Sequence, residues 1–103
     1  MWRRARAATV GLLIFVCACV GRPPADATGE QVYEQVCARC HAADLSGGVG
    51  PGIGAGSNSA EQDDEFLRLT ITDGRGRMPS FRHTLTEEEI NRVIEFMREA
   101  QDE

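Results

Sequence analysis

The sequence predicts a single all-α domain: two observations support the class, and the length supports the single domain. Apolar residues recur at helical spacing in three stretches of the chain, and two of these stretches begin with a capping-box pattern. No stretch alternates between apolar and polar residues as a half-buried strand requires. At 103 residues, the chain has room for one domain.

The first predicted helix spans about residues 29–40. Thr28 precedes it as a candidate N-cap, and Gln31 follows three residues later, which is the spacing of a capping box. Its buried side would carry three apolar residues at helical spacing: Val32, Tyr33 and Val36.

The second predicted helix spans about residues 60–72, with Asn58 or Ser59 as its N-cap. Its first turn carries acidic residues that the helix dipole favours: Glu61, Asp63 and Asp64. Its apolar side consists of Phe66, Leu67 and Ile71. Gly74 is a natural stop, because glycine adopts the left-handed conformation that ends many helices.

The third predicted helix is the clearest, because Thr86 and Glu89 form a T-x-x-E capping box. An apolar stripe follows at i, i+3, i+4 and i+7: Ile90, Val93, Ile94 and Met97. Loops rich in glycine separate the helices, "GGVGPGIGAGS" before the second and "GRGRMPSFRHTL" before the third. Pro79 prevents the latter from continuing a helix.

The start of the chain indicates export. Arg3, Arg4 and Arg6 precede an uncharged apolar run over residues 7–20. As a helix this run would span about 21 Å, which is short of the roughly 30 Å of bilayer hydrocarbon. A short apolar run behind arginines is typical of a secretory signal, so we expect a periplasmic protein.

Two processing sites compete at the end of this signal. Ala25 and Ala27 have A-x-A spacing, which would make residues 1–27 the signal and residues 28–103 the domain. Cys19 alternatively resembles the acylated cysteine of a bacterial lipoprotein signal, with the residues up to Thr28 as a tether. The sequence leaves both sites open, and a lipid anchor at Cys19 is the only membrane contact that we expect.

The charge and size of residues 28–103 restrict the partners and the means of stabilisation. This part carries fifteen of the sixteen acidic residues and seven of the eleven arginines, and the chain has no lysine. The acidic excess argues against nucleic acid and anionic membrane surfaces as partners. So small a domain usually needs disulfides, a metal or a cofactor besides its core, and two cysteines exclude several disulfides.

Cys37, Cys40 and His41 form the one dense cluster of reactive side chains beyond the signal. A structural zinc site needs four ligands, and His83 is the only other histidine. A thioredoxin-like C-x-x-C needs a βαβ setting, which this helical chain lacks. A plain disulfide leaves His41 without a role.

The remaining interpretation is the C-x-x-C-H motif of c-type haem attachment. Both thiols would bind the haem covalently, and helical spacing would bring His41 towards the same side, where its imidazole can bind the iron. One covalent haem c would also supply the apolar mass that the small domain lacks. We therefore expect haem c as the cofactor.

Residues 28–103 resemble a small class I bacterial cytochrome c, near the cytochrome subunits of cbb3 oxidases and cytochrome c6-like carriers. The resemblance rests on "GEQVYEQVCARCH", "GPGI", "GRGRMPSF" and "LTEEEINRVIEFMREA". It implies the cytochrome c fold, in which three to four helices wrap around one covalently attached haem and the first and last helices cross. Gly29 and Tyr33 would meet the last helix near Phe96.

The resemblance also implies the second axial ligand. The candidates are Met78, His83 and Met97, and Met97 belongs to the apolar stripe of the last helix. The family places its ligand methionine before a proline in a loop, which implies Met78 opposite His41. A thioether ligand favours ferrous iron and raises the reduction potential relative to two histidines.

The glycine-rich loop contains G-x-G-x-x-A, but it lacks the βαβ setting of nucleotide binding, so no nucleotide is expected. A ligating imidazole usually donates its second N–H to an oxygen acceptor. By resemblance that acceptor is the carbonyl of Pro51, with Ile53 packed on the haem.

Arginines near the two haem-contacting loops suggest a basic rim on an acidic protein: Arg39, Arg75, Arg77 and Arg82. Arg75 or Arg77 is also a candidate to pair with a haem propionate. The resemblance implies an electron-transfer protein, not an enzyme, working with redox partner proteins. The alternatives are a haem c subunit of a larger dehydrogenase or oxidase complex and, less favoured, a haem sensor or peroxidase.

Overall fold

The computed structural model describes Gly11 and residues 22–103. Of the predicted export signal, residues 1–10 and 12–21, with Cys19, lie outside the described residues. In the described part the helical elements are α1 (Gly29–Val32), a π-helical segment (Tyr33–Cys37), α2 (Ala38–His41), α3 (Asn58–Glu61), α4 (Asp64–Asp73) and α5 (Glu87–Gln101). No strand occurs there, and the all-α prediction is confirmed. None of these helices is both long and apolar enough to cross a bilayer.

The first three elements form one continuous helical segment. It begins as predicted at Thr28, whose side chain accepts a hydrogen bond from the Gln31 N–H at 3.1 Å, while the Gln31 side chain accepts from the Thr28 N–H at 2.9 Å. The π turn in its middle was not predicted. There the Ala38 N–H donates to the carbonyl of Tyr33, five residues earlier.

The second predicted helix is two helices, which corrects the sequence expectation. Asp63 is the N-cap of α4, and its side chain accepts a hydrogen bond from the Phe66 N–H at 2.8 Å. Aspartate satisfies free N–H groups at a helix start better than it serves in a helix interior, so the chain breaks at Gln62. α4 ends at Gly74, which has a φ of 77°.

α1 crosses α5 in close contact at Gly29. A Cβ on Gly29 would lie 2.1 Å from the Arg92 carbonyl oxygen, so only glycine allows this approach. The ring of Tyr33 packs on that of Phe96, with centroids 5.2 Å apart and an interplanar angle of 47°. The predicted meeting of Gly29 and Tyr33 with the last helix near Phe96 is confirmed.

The core lies between α1, α4 and α5. All four residues of the predicted α5 stripe are buried, and α5 begins with the predicted capping box of Thr86 and Glu89. α4 contributes Leu67 and Ile71. An ion pair between Arg98 and Asp64 joins the outer faces of α5 and α4.

Candidate functional site

His41 ends α2 with its ring in a fixed orientation. The residue is 9% exposed, and its Nδ1 lies 2.8 Å from the carbonyl oxygen of Pro51. Because a carbonyl only accepts hydrogen bonds, Nδ1 carries the proton and donates it. In the neutral imidazole with this tautomer, Nε2 is the nitrogen without a proton, which is the one that can bind a metal.

The glycine-rich loop caps the end of α2 and supports this ring. The Gly50 N–H donates to the carbonyl of Cys40 at 2.8 Å, and the Gly47 N–H donates to the carbonyl of His41 at 2.9 Å. These bonds satisfy two carbonyls that a helix end leaves free. A Cβ on Gly50 would lie 3.0 Å from Cε1 of His41, so any side chain there would press on the imidazole.

Tyr33 fixes the chain just past His41. Its ring is fully buried, and its hydroxyl donates to the carbonyl of Ala42 at 2.6 Å. Ala42 has a φ of 66°, a left-handed conformation that a residue with a side chain seldom adopts. Burial, with smaller effects of Cys37 and Asp44, raises the pKa of Tyr33 to about 12, so the hydroxyl stays a donor.

Cys37 and Cys40 are unpaired thiols with intermediate exposure. Burial, and to a lesser degree the nearby Cys40, raises the pKa of Cys37 to about 11. Cysteines that exchange disulfides have lowered pKa values, because the thiolate is the reactive form. The protonated Cys37 thiol therefore argues against thiol–disulfide exchange.

Met78 closes a tight turn after α4. The N–H groups of Arg75 and Met78 each donate to the carbonyl of the other, at 3.0 and 2.9 Å. Gly74 and Gly76 have φ values of 77° and 56°, which glycine adopts without steric cost, so the chain can make this turn. The Met78 side chain is half-buried against the core.

The other predicted site residues divide between the two loops. Ile53 is 7% exposed in the core, and its carbonyl accepts a hydrogen bond from the Gln101 side chain at 2.9 Å. The Arg75 guanidinium lies over the ring of Phe66, 5.2 Å from its centroid. Arg77 is exposed and forms no hydrogen bond or ion pair within the described part of the chain.

The rival axial ligands lie in different surroundings. Met97 is 4% exposed and fills the core, whereas His83 is exposed in the loop before α5. The carbonyl of His83 accepts a hydrogen bond from Arg22 at 2.6 Å. Of the three candidates, Met78 is the one in a half-buried position.

The sequence interpretation treated Tyr33 as a core residue and missed its hydrogen bond to Ala42. The sequence does contain a signal for this bond, because the hydroxyl of a buried tyrosine usually has a hydrogen-bond partner. A core position without such a partner would suit phenylalanine instead. The role of Gly50 beneath the imidazole was also missed, since sequence does not show which glycine approaches a ring.

The residues present fit a covalently attached haem. The hydrogen bond of His41 to Pro51 leaves Nε2 available, and two free thiols lie within one helical turn before His41. Apolar side chains lie half-buried against the core, where a large apolar group can cover them: Cys37, Ala38, Phe66, Met78 and Phe81. This donor set of two thiols, an imidazole and a thioether matches haem c better than a bare metal ion.

The crossed helices, the C-x-x-C-H segment and the methionine turn define a class I c-type cytochrome. Residues 24–97 match the family described as cytochrome c oxidase, cbb3-type, subunit III, and the chain belongs to that family. Haem c, attached covalently, is therefore its cofactor.

Known c-type cytochromes resemble the chain in sequence and in structure. It is 37% identical to cytochrome c-551 of Bacillus subtilis (strain 168) over 51 residues, which cover 50% of this chain and 44% of the relative. Cytochrome cL of Hyphomicrobium denitrificans has a TM-score of 0.62 at 29% identity, covering 68% of this chain and 44% of that one. Cytochrome c6C of Synechococcus sp. PCC 7002 has a TM-score of 0.63 at 25% identity, covering 73% of this chain and 96% of that one. The match thus spans less than half the length of the first two relatives.

Proposed function

We propose that the chain is an exported monohaem cytochrome c that passes single electrons between redox partner proteins. The hydrogen bond between His41 Nδ1 and the Pro51 carbonyl carries this proposal, because it orients the imidazole and leaves Nε2 free for iron. Cys37 and Cys40 would hold the haem through thioether bonds. The bound haem supplies reversible one-electron chemistry at its iron.

Met78 is the proposed second axial ligand. Its turn is closed by two backbone hydrogen bonds to Arg75, which limit where the thioether can move. If His41 and Met78 both bind the iron, no coordination position would be left for oxygen or peroxide. This arrangement favours a carrier over an enzyme.

Substitution of the candidate ligands tests this assignment. Met78→Ala should abolish the Met–iron charge-transfer band of the oxidised protein and lower the reduction potential. Met97→Leu, in the core, should retain both, and so should His83→Ala. If Met78→Ala keeps the band, or His83→Ala changes the axial-ligand spectrum, His41/Met78 ligation is wrong.

A second candidate function is a haem subunit of a larger oxidase or dehydrogenase complex. The family description favours it, because it names a subunit of a cbb3-type oxidase. The two functions differ in whether the protein purifies with a large membrane partner at moderate salt. Elution of the haem-loaded protein as a free monomer would support the carrier, and a stoichiometric complex would support the subunit.

Exposed arginines near the site are proposed to guide the encounter with acidic partners. Arg77 is free of ion pairs in the described part and Arg75 stacks on Phe66, whereas Arg82 pairs with Asp73. Rim charges of this kind change association rates more than affinity. Arg77→Glu should weaken the salt dependence of electron transfer, whereas Glu99→Gln on the exposed side of α5 should not. An unchanged salt dependence in Arg77→Glu would contradict the role.

A further inference from the structure

Residues 22–27, which we call the N-terminal strap, pack against the domain. Pro23 is buried, and Ala27 is 5% exposed as a member of the hydrophobic core. The Ala27 N–H donates to the carbonyl of Pro24 at 2.9 Å, which closes a turn just before α1. The strap therefore contributes apolar contacts to the same core as the helices.

Two hydrogen bonds join the strap to distant parts of the chain. Arg22 donates from Nη2 to the carbonyl of His83 at 2.6 Å, and Arg92 donates from Nη2 to the carbonyl of Ala25 at 3.1 Å. Arg92 belongs to the α1–α5 crossing, where its carbonyl faces Gly29. Its Nε is buried without a partner in the described residues, so the bond to Ala25 is the one side-chain hydrogen bond of this guanidinium in that part of the chain.

Cleavage after Ala27 would also change the start of α1. Thr28 is the N-cap, and its backbone N–H donates to the Gln31 side chain. A new amino terminus at Thr28 would place a positive charge at the helix end where the dipole is already positive. This arrangement is electrostatically unfavourable.

We infer that residues 22–27 remain in the mature protein and that the export signal is removed before Arg22. This inference rests on the proposed export of the chain. Of the two processing sites in the sequence, only the one at Cys19 leaves the strap intact. With the strap folded, Val20 and Gly21 alone separate Cys19 from the domain, so Cys19 can lie at most about 11 Å from Arg22. An unfolded tether would let Cys19 lie up to about 30 Å from Thr28.

The intact mass of the mature protein tests the inference directly. The full chain is expressed in a bacterium that exports proteins and attaches haem c, and the haem-loaded product is weighed. A cleaved product whose first residue is Arg22 or an earlier one, with or without acyl chains on Cys19, supports the inference, and an uncleaved chain overturns it. A first residue at Thr28 overturns it and leaves the haem spectrum, and hence the proposed electron transfer, unaffected.

A pair of strap variants gives a second measurement on the full chain. Arg22→Ala should change the mature mass and lower the melting temperature by about 2 to 12 °C, because it removes the hydrogen bond to His83. Asp26→Asn is the control, since Asp26 is exposed and forms no hydrogen bond or ion pair in the described part. Its mass should change and its melting temperature should not. A mature Arg22→Ala protein with the mass and melting temperature of the parent would overturn the inference.

Discussion

Replacing Gly29 with alanine should force α1 away from α5. The new Cβ would lie 2.1 Å from the Arg92 carbonyl oxygen and 2.7 Å from its carbonyl carbon, whereas ordinary contact begins at 3.4 Å. The helices must then separate by about 1 Å, and the opposing atoms are backbone that cannot rotate away. Overpacking costs about 1 to 3 kcal/mol, and contact with backbone favours the upper end.

The higher helix propensity of alanine offsets at most about 1 kcal/mol, so the free energy of unfolding should fall by about 2 kcal/mol. For a domain of this size, that lowers the melting temperature by about 8 to 16 °C. Far-UV circular dichroism of the haem-loaded protein measures it. Gly48→Ala is the control, because a Cβ there would have its nearest neighbour at 3.5 Å. Equal melting temperatures for Gly29→Ala and the parent would refute the close crossing.

Three further predictions concern individual side chains. In denaturant titrations, the free energy of unfolding of the parent protein should fall between about pH 10 and 12. In Tyr33→Phe, this fall should be absent. The folded state raises the pKa of Tyr33 to about 12, so its stabilising effect is present below pH 10 and lost as the phenol ionises. Thr86→Ala should lower the free energy of unfolding by about 1 kcal/mol in the same assay, and Thr86→Ser should retain it. Ser46→Ala should raise the pKa of Asp44 in an NMR titration, because hydrogen bonds from the Ser46 side chain and backbone lower it.

The sequence predicted the two capped helices well because their signals are local. A threonine three residues before a glutamine or glutamate acts within one turn, and both capping boxes form at Thr28 and Thr86. The C-x-x-C-H motif is also local, and it led to the cofactor that the family carries. The helix crossing was predicted from the resemblance and not from spacing.

The features that sequence missed depend on distant atoms or on competing local preferences. An aspartate suits both the first turn of a helix and the N-cap position, and Asp63 is the N-cap of α4 in the structure. The π turn at Tyr33–Cys37 inserts one residue into a helix whose periodicity is otherwise ordinary. The contact of Arg22 with His83 joins positions 61 residues apart, which no local pattern indicates.

The hydrogen bonds around His41 explain how so small a domain can hold this proposed iron ligand in a precise orientation. Two separate parts of the chain fix residues 40–42: the glycine loop, through Gly47, Gly50 and the Pro51 carbonyl, and the Tyr33 hydroxyl, which donates to Ala42. Each bond contributes only about 0.5 to 1.5 kcal/mol, but together they restrict both the backbone and the ring. Tyr33 also packs on Phe96, so the α1–α5 crossing and the ligand share one buried side chain. A loosened crossing should therefore disturb the proposed iron site as well as the fold, and Gly29→Ala should change the reduction potential although Gly29 is not one of the proposed haem-binding residues.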